Sequence, residues 1–249
     1  MKPYYEDELV TLYCGDALEV LPNLAPVDAI VTDPVWPNAS VPLAGSNNPG
    51  FLLSRALDAA PKADRLVVQL GCDSDPRFLG AVESLRWPFL RVCWLRYARP
   101  NYKGRLLNGS DVAYVFGKPP ARALVENTNV MPGESATAGE VCAVDPRGRT
   151  RGHPCPRRLE HADFLVRWFG GPVVLDPFAG SGTTLLAQKL RGRRAIGIEI
   201  DEGYCRVAVE RLKQTVWPGI LDSPAASDPR GPSVPTFIFR RNNHASRVG

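Results

Sequence analysis

Short apolar runs alternate along the chain with stretches in which apolar residues return every three or four positions. LVTLYC (9–14), VDAIVTD (27–33), RLVVQLG (65–71), FLRVCWLR (89–96), DVAYVFG (111–117), PVVLDPF (172–178) and RAIGIEI (194–200) are rich in Val, Ile, Leu and aromatics and read as strands. FLLSRALDAA, DPRFLGAVESL, RRLEHADFLVRWF, GTTLLAQKLR and DEGYCRVAVERLKQT read as helices. Seven strands with interposed helices predict an α/β fold, a Rossmann-like, seven-stranded, mostly parallel sheet with helices on both faces. Two stretches fall outside this rhythm. Residues 119–152 have little periodicity and many turn formers, which predicts an insertion or long loop. Residues 217–249, with SPAASDPRGPSVP and RRNNHASRVG, predict a flexible C-terminal tail in which TFIF could dock. The expected domain therefore covers 1–216, with the tail beyond it.

With 249 residues, 44% of them hydrophobic, the chain can bury a full core. No apolar stretch approaches the roughly 20 residues of a membrane helix, and MKPYYEDELV lacks the shape of a signal peptide. A soluble, cytoplasmic protein is the expectation. The six cysteines lie apart without a C-x-x-C pair, which suggests reduced thiols and neither a metal site nor a disulfide framework. The net charge of +4 is unevenly spread. Residues 1–85 carry 5 basic and 12 acidic side chains, 86–158 carry 13 and 5, and 159–249 carry 12 and 9. A basic middle segment is a plausible footprint for a polyanion, although charge alone equally fits a solvated surface.

Candidate chemistry concentrates in two places. In VVLDPFAGSGTTLLAQKL (173–190) an apolar strand ends at Asp176, a glycine-rich turn follows, and a helix begins at Thr183 or Thr184. Gly180 and Gly182 let backbone approach a ligand closely, and the helix N-terminus aims free N–H groups at it. Glu199, at the end of the next strand and about 20 residues on, is placed to accept hydrogen bonds from a ribose and to repel a 2′-phosphate. Together these describe a nucleotide-type cradle. The second place is TDPVWPN (32–38), where a strand stops at Asp33 and can present a carboxylate, a proline-fixed backbone and Trp36 to the cleft beyond the sheet.

DPFAGSGTT in the second half, with an aspartate–proline–x–aromatic box in the first, resembles the S-adenosylmethionine-dependent DNA amino-methyltransferases of the β motif order, which modify adenine N6 or cytosine N4. The resemblance extends over roughly residues 9–216. LYCGDALEVLPNL and VDAIVTDPVW are similar to that family's opening, YVFGKP to the strand closing its catalytic half, GHPCPRRLEHADFLVRWF to its H-P-x-x-K-P box and helix, and GIEIDEGYCRVAVERL to its second cofactor strand and helix. The resemblance implies S-adenosyl-L-methionine as cofactor. Asp176, Phe178, Gly180 and Gly182 would hold its methionine end, Glu199 its ribose and Asp16 its adenine amino group, while His153 and Pro154 would begin the segment closing over the methionine moiety. Asp16 could instead cap the helix that follows it, and His153 could be a surface loop residue.

In the same family the box supplies catalysis. An exocyclic amine is a poor nucleophile because its lone pair is delocalised into the ring. Hydrogen bonds to the Asp33 carboxylate and the Pro34 carbonyl would localise that pair, and Trp36 would stack the extruded base. Metal is not required. The box departs from the family pattern at Val35, where a second proline is usual, and the later box has Arg157 where lysine is usual. Asp at the first position leans toward adenine, with cytosine N4 left open by the tryptophan; a relative that binds without turnover is the other alternative, and an RNA or protein methyltransferase a third.

Double-stranded DNA is the implied partner. Arg96, Arg99, Lys103 and Arg105 surround the aromatics of LRYARPNYKGR, and Arg147, Arg149, Arg151, Arg157 and Arg158 lie before and within the His153 box, suiting phosphate contact. At 34 residues, the insert 119–152 is small for target recognition, which predicts a short or relaxed recognition sequence or reliance on a second subunit, as in a homodimer. With no nuclease motif apparent, a stand-alone enzyme of a bacterium, or of its virus acting in the host cytoplasm, is expected, of the kind found in restriction-modification.

Overall fold

The computed structural model describes residues 2–38, 43–83, 86–103, 106–120, 139–143 and 157–214. In chain order the elements are β1 (Tyr5–Glu6), β2 (Val10–Cys14), α1 (Ala17–Val20), β3 (Val27–Thr32), α2 (Pro49–Ala59), β4 (Ala63–Gly71), β5 (Phe89–Lys103), β6 (Leu106–Gly117), β7 (Glu140–Ala143), α3 (Leu159–Leu165), β8 (Val173–Asp176), α4 (Thr183–Leu190), β9 (Arg194–Glu199) and α5 (Glu202–Gln214).

The strands form one sheet in the order β1-β2-β9-β8-β3-β4-β6-β5-β7. The centre, from β2 to β4, is parallel, and β6 runs antiparallel between β4 and β5. The α/β class expected from the sequence is present, but among the described residues the sheet has nine strands where seven were expected. The added β1 is two residues long and pairs antiparallel with β2, too short for any periodicity to reveal. The added β7 lies inside the stretch read as an insertion and pairs in parallel with β5, burying Val141 and Ala143. The rest of that stretch from 121 to 138 and from 144 to 152, like the tail 217–249 with its TFIF segment, lies outside the described residues.

Alternation along the central strands assigns the two faces. Ile30, Leu66, Val68 and Leu70 pack with Leu53, Ala56 and Leu57 of α2 and with Ala17 and Val20 of α1. Ala29, Val31, Val67 and Val174 point the other way, against Ala162, Phe164 and Leu165 of α3 and the segment that follows it. Val10, Leu12 and Ala195 are covered by Leu185 and Leu186 of α4 and by Cys205, Ala208 and Leu212 of α5. A one-residue register slip in β3 would exchange its two buried sets, so pairing is strongly specified there.

Two predicted helices differ. Within the segment 75–85 the described residues form a 3₁₀ turn, Pro76–Ala81, with Asp75 accepting from the Arg77 N–H and no residue of the turn buried; Pro76 and Gly80 leave little to propagate an α-helix. The helix predicted over 157–169 is α-helical to Leu165 and continues as a π turn over Val166–Gly170. Arg65 of β4 donates to the Phe169 and Gly170 carbonyls at 2.8 and 2.9 Å, satisfying the end of that turn from across the sheet. Among the described residues no helix is long and apolar enough to cross a membrane.

Sheet order creates the site. β3 and β8 are neighbours, yet the chain leaves β3 toward β4 on one side and β8 toward β9 on the other. Their following segments diverge, opening the crevice at the carboxyl ends of the strands where ligands bind in folds of this kind.

Candidate active site

A cavity of about 560 Å³ fills that crevice, within the usual range of small-molecule sites. Asp33, Pro34 and Trp36 after β3 line it together with Asp16 after β2, Asp176 at the end of β8, Phe178 and Gly180 after it, and Glu199 at the end of β9. The two boxes, more than 140 residues apart in the chain, thus face one space. A direct hydrogen bond joins them: Thr32 Oγ1 donates to Asp176 Oδ1 at 3.0 Å across the switch point.

On the cradle side, Asp176 is 2% exposed. Its Oδ1 also accepts from the Phe178 N–H at 3.1 Å, fixing the first step of the loop. Burial pushes its carboxyl up to about 7, against the pull of its hydrogen bonds from Thr184, Phe178 and Thr32. Gly180 has φ of 52°, and its N–H donates to Glu199 Oε2 at 2.7 Å while the Asp201 N–H donates to Oε1 at 2.8 Å. Glu199 therefore shapes the glycine loop as well as facing the cavity, and burial raises its pKa despite those bonds. Arg211 of α5 supports the loop from behind, donating to Ser181 Oγ at 3.1 Å and Thr183 Oγ1 at 2.9 Å.

Gly182 serves the turn itself. It is absent from the cavity lining. Its φ is 75° at the N-cap of α4, and a Cβ there would meet the Ala208 Cβ at 2.9 Å, so glycine serves the turn and the approach of α5. Asp16 lines the cavity, and its Oδ1 accepts from the Leu18 N–H at 2.8 Å as the cap of α1.

On the Asp33 side, the Trp36 Nε1–H donates to Asp33 Oδ1 at 2.8 Å and to the Gln69 carbonyl at 3.2 Å, which orients the indole. Its Cε3–Cζ3 edge lies on Gly71 at the end of β4, where a Cβ would come within 2.5 Å of Cζ3. Arg157 covers the ring, with Cζ 3.9 Å from the centroid. It also holds Asp33 through Nε to Oδ2 and through Nη2 to Oδ1 at 3.0 Å, and reaches Asp111 Oδ2 at 3.3 Å through Nη1. Asp111, 2% exposed, accepts a second hydrogen bond from the Tyr97 hydroxyl at 2.5 Å. Burial raises the Asp33 and Asp111 carboxyls, and the guanidinium opposes it at both.

Gly71, Asp111 and Tyr97 carried no sequence signal, because their roles depend on β4, β5 and β6 being neighbours. Among the basic residues expected at a polyanion surface, Arg96 is exposed and pairs loosely with Glu140 at 3.7 Å, outside this cavity. Arg99 and Lys103 belong to β5, whose hairpin with β6 carries LRYARPNYK; their side chains, and all of Arg105, Arg147, Arg149, Arg151, His153 and Pro154, lie outside the described residues. No cluster of three or more metal-ligating side chains occurs among the described residues.

The DNA methylase family profile for N6 and N4 amino-methylation matches residues 96–210. Over those residues the chain is similar to this DNA methylase family. It is 43% identical over 67 residues to the orphan methyltransferase M.BamHII of Bacillus amyloliquefaciens, an alignment covering 26% of this chain and 25% of that one. The match thus spans about a quarter of that curated relative. Over longer stretches it is similar in fold to M1.HpyAVI in complex with SAM, with a TM-score of 0.61, 22% identity, and 82% of this chain and 99% of that one covered. TTHA0409 of Thermus thermophilus, complexed with S-adenosyl-L-methionine, gives 0.56 and 26%, covering 84% and 94%. The two stretches TDPVWPN and DPFAGSGTT, on which the resemblance to that family rests, both line the cavity.

Proposed function

We propose that the protein transfers a methyl group from S-adenosyl-L-methionine to the exocyclic amine of a base flipped out of double-stranded DNA, with adenine N6 the first choice and cytosine N4 the second. The observation that carries this reading is one cavity holding both a carboxylate-and-indole pair, Asp33 and Trp36, and an acidic, glycine-cradled pocket. Asp16, Asp33, Asp176, Glu199 and Asp201 all line it, a set of carboxyl acceptors suited to a cofactor carrying a sulfonium and an ammonium group. The residues fit such a cofactor: Gly180 keeps the loop free of a side chain, Glu199 would hold its ribose, and Asp176 would hold its methionine end.

Bound there, the cofactor supplies an electrophilic methyl group. The chain's own work is placement. Asp33 and the Pro34 carbonyl accept the amine N–H groups, which localises the nitrogen lone pair and stabilises its developing positive charge. Trp36 offers a ring face to the base, a contact worth about 1–3 kcal/mol. Alignment of the reacting atoms can contribute roughly 7–11 kcal/mol in favourable cases. The domain 1–216, the His153–Pro154 closure, the phosphate contacts of Arg96, Arg99, Lys103, Arg105, Arg149 and Arg151, action in the cytoplasm and a homodimer that shares target recognition complete the reading.

The test incubates the protein with unmethylated DNA and methyl-labelled S-adenosylmethionine, digests the DNA and identifies the modified nucleoside by mass spectrometry. Labelled N6-methyladenine that vanishes in Asp33→Ala is expected. Labelled N4-methylcytosine would select the second choice, and cofactor binding without transfer to any DNA would refute the reading.

A further inference from the structure

We propose that Arg157 is a surrogate for the target base: its guanidinium occupies the place over Trp36 and against Asp33 that an extruded base must take, and Asp111 is the anchor to which it withdraws. The inference rests on the function proposed above. Its starting point is mutual exclusion. A planar group whose centre lies 3.9 Å from the Trp36 centroid is at stacking separation, so no base can lie between them. The Cε3–Cζ3 edge of the indole is closed by Gly71. Arg157 and an incoming amine also compete for the same acceptors, since Asp33 Oδ1 already takes Trp36 Nε1 and Arg157 Nη2 while Oδ2 takes Arg157 Nε.

Displacement needs somewhere for a cation to go. The Arg157 side chain is 19% exposed, and Arg157 is the one Lys or Arg among the described residues lining the cavity. Driven from Asp33 with no other partner, the guanidinium would be a partly buried, unpaired charge. Asp111 prevents this. Its carboxylate is 3% exposed, is held in place by the Tyr97 hydroxyl, and already touches Nη1 at 3.3 Å. A short shift along this axis replaces a pairing shared between two acids with one centred on Asp111, leaving Asp33 and the Trp36 face to the base. Arg157 stands at the start of α3. It immediately precedes Arg158, the N-cap of α3, and in sequence it follows the basic run that contains Arg147, Arg149 and Arg151.

The experiment uses the full chain and a duplex containing the methylated site, identified by sequencing the wild-type product, with a fluorescent base analogue at the target position. Wild type, Asp111→Asn, Arg157→Gln and the double variant are compared for analogue fluorescence, KM for DNA and kcat. Removing the anchor should hold the surrogate on Asp33, so Asp111→Asn should raise KM by about tenfold, the worth of one charged hydrogen bond, and lower the fluorescence change. Arg157→Gln should lower KM, and adding it to Asp111→Asn should reverse that variant's loss. A double variant worse than Asp111→Asn, or an Arg157→Gln variant with raised KM, would overturn the proposal. Should Asp111→Asn fail to fold, the wild-type Arg157 Nε–H resonance is the second readout. It should carry the ring-current shift of Trp36 without DNA and lose it on binding the duplex; an unchanged shift would also overturn the surrogate. Failure of wild type to methylate any DNA would instead refute the underlying function.

Discussion

Asp176→Asn tests the cradle most directly, because it separates what the carboxyl does for the fold from what it does for a ligand. At 2% exposure, Asp176 holds its proton up to about pH 7, whereas an unfolded aspartate loses its proton near 4. Between those values the native state binds the extra proton. Stability is therefore fully present below about pH 4 and is lost as pH rises through 7. Three pKa units at about 1.4 kcal/mol each give a ceiling of about 4 kcal/mol, an order of magnitude only. Asparagine can keep the acceptor that Thr32 Oγ1 and the Phe178 N–H use without ever ionising. The variant should match wild type near pH 4.5 and melt higher at pH 8, by up to roughly 10 °C for a chain of this size.

S-adenosylmethionine should show the opposite preference. A cation bound beside Asp176 favours the carboxylate, so cofactor binding expels a proton below pH 7 and wild-type affinity should fall up to about tenfold per pH unit there. Asp176→Asn should lose most of its affinity at every pH. The assay is a set of thermal melts from pH 4.5 to 8.5 with and without cofactor, read as differences between the two proteins so that other titrating groups cancel. A stability difference that does not change with pH, or a cofactor shift as large in Asp176→Asn as in wild type, would refute the reasoning.

Three further outcomes follow from other contacts. Gly71→Ala places a Cβ within 2.5 Å of Trp36 Cζ3; it should tilt the indole and cost about 1–3 kcal/mol as an overpacked contact, with a loss of kcat but little change in cofactor Kd by titration calorimetry. Glu199→Gln sets an amide N–H against the N–H of Gly180 or Asp201; losing one charge-assisted bond, about 1.5–3 kcal/mol, should weaken cofactor binding at least tenfold, and unchanged affinity would remove Glu199 from the site. His161, fully buried with Nε2 2.9 Å from the Arg96 carbonyl, has its pKa lowered to about 4 by burial. The unfolded state binds the extra proton between about 4 and 6.5, so its share of stability is complete above 6.5 and is lost as pH falls toward 4. Urea titrations of wild type and His161→Gln should converge across that window as pH falls.

What the chain reveals in one dimension and what it conceals follow from the range of the interactions. Asp176, Gly180 and Glu199 could be placed from sequence because a strand, a glycine turn and a helix start are set by neighbours a few residues apart, and the Gly180–Glu199 bond closes within a single β–α–β unit. Asp33 was legible for the same reason, as an acid at the end of an apolar strand. The contacts that decide how Asp33 behaves are not local. Arg157 reaches it across 124 residues, Trp36 is oriented by the Gln69 carbonyl 33 residues on, and Asp111 becomes its rival only because β6 lies beside β4 in the sheet. β1 and β7 were missed because two and four residues carry almost no periodic signal. At Gly182 a positive φ and a close neighbour both demand glycine, and that neighbour, Ala208 of α5, is visible only in the structure. A motif therefore specifies which atoms can perform the chemistry, while strand order determines which charges compete for them; in this protein that competition centres on Arg157.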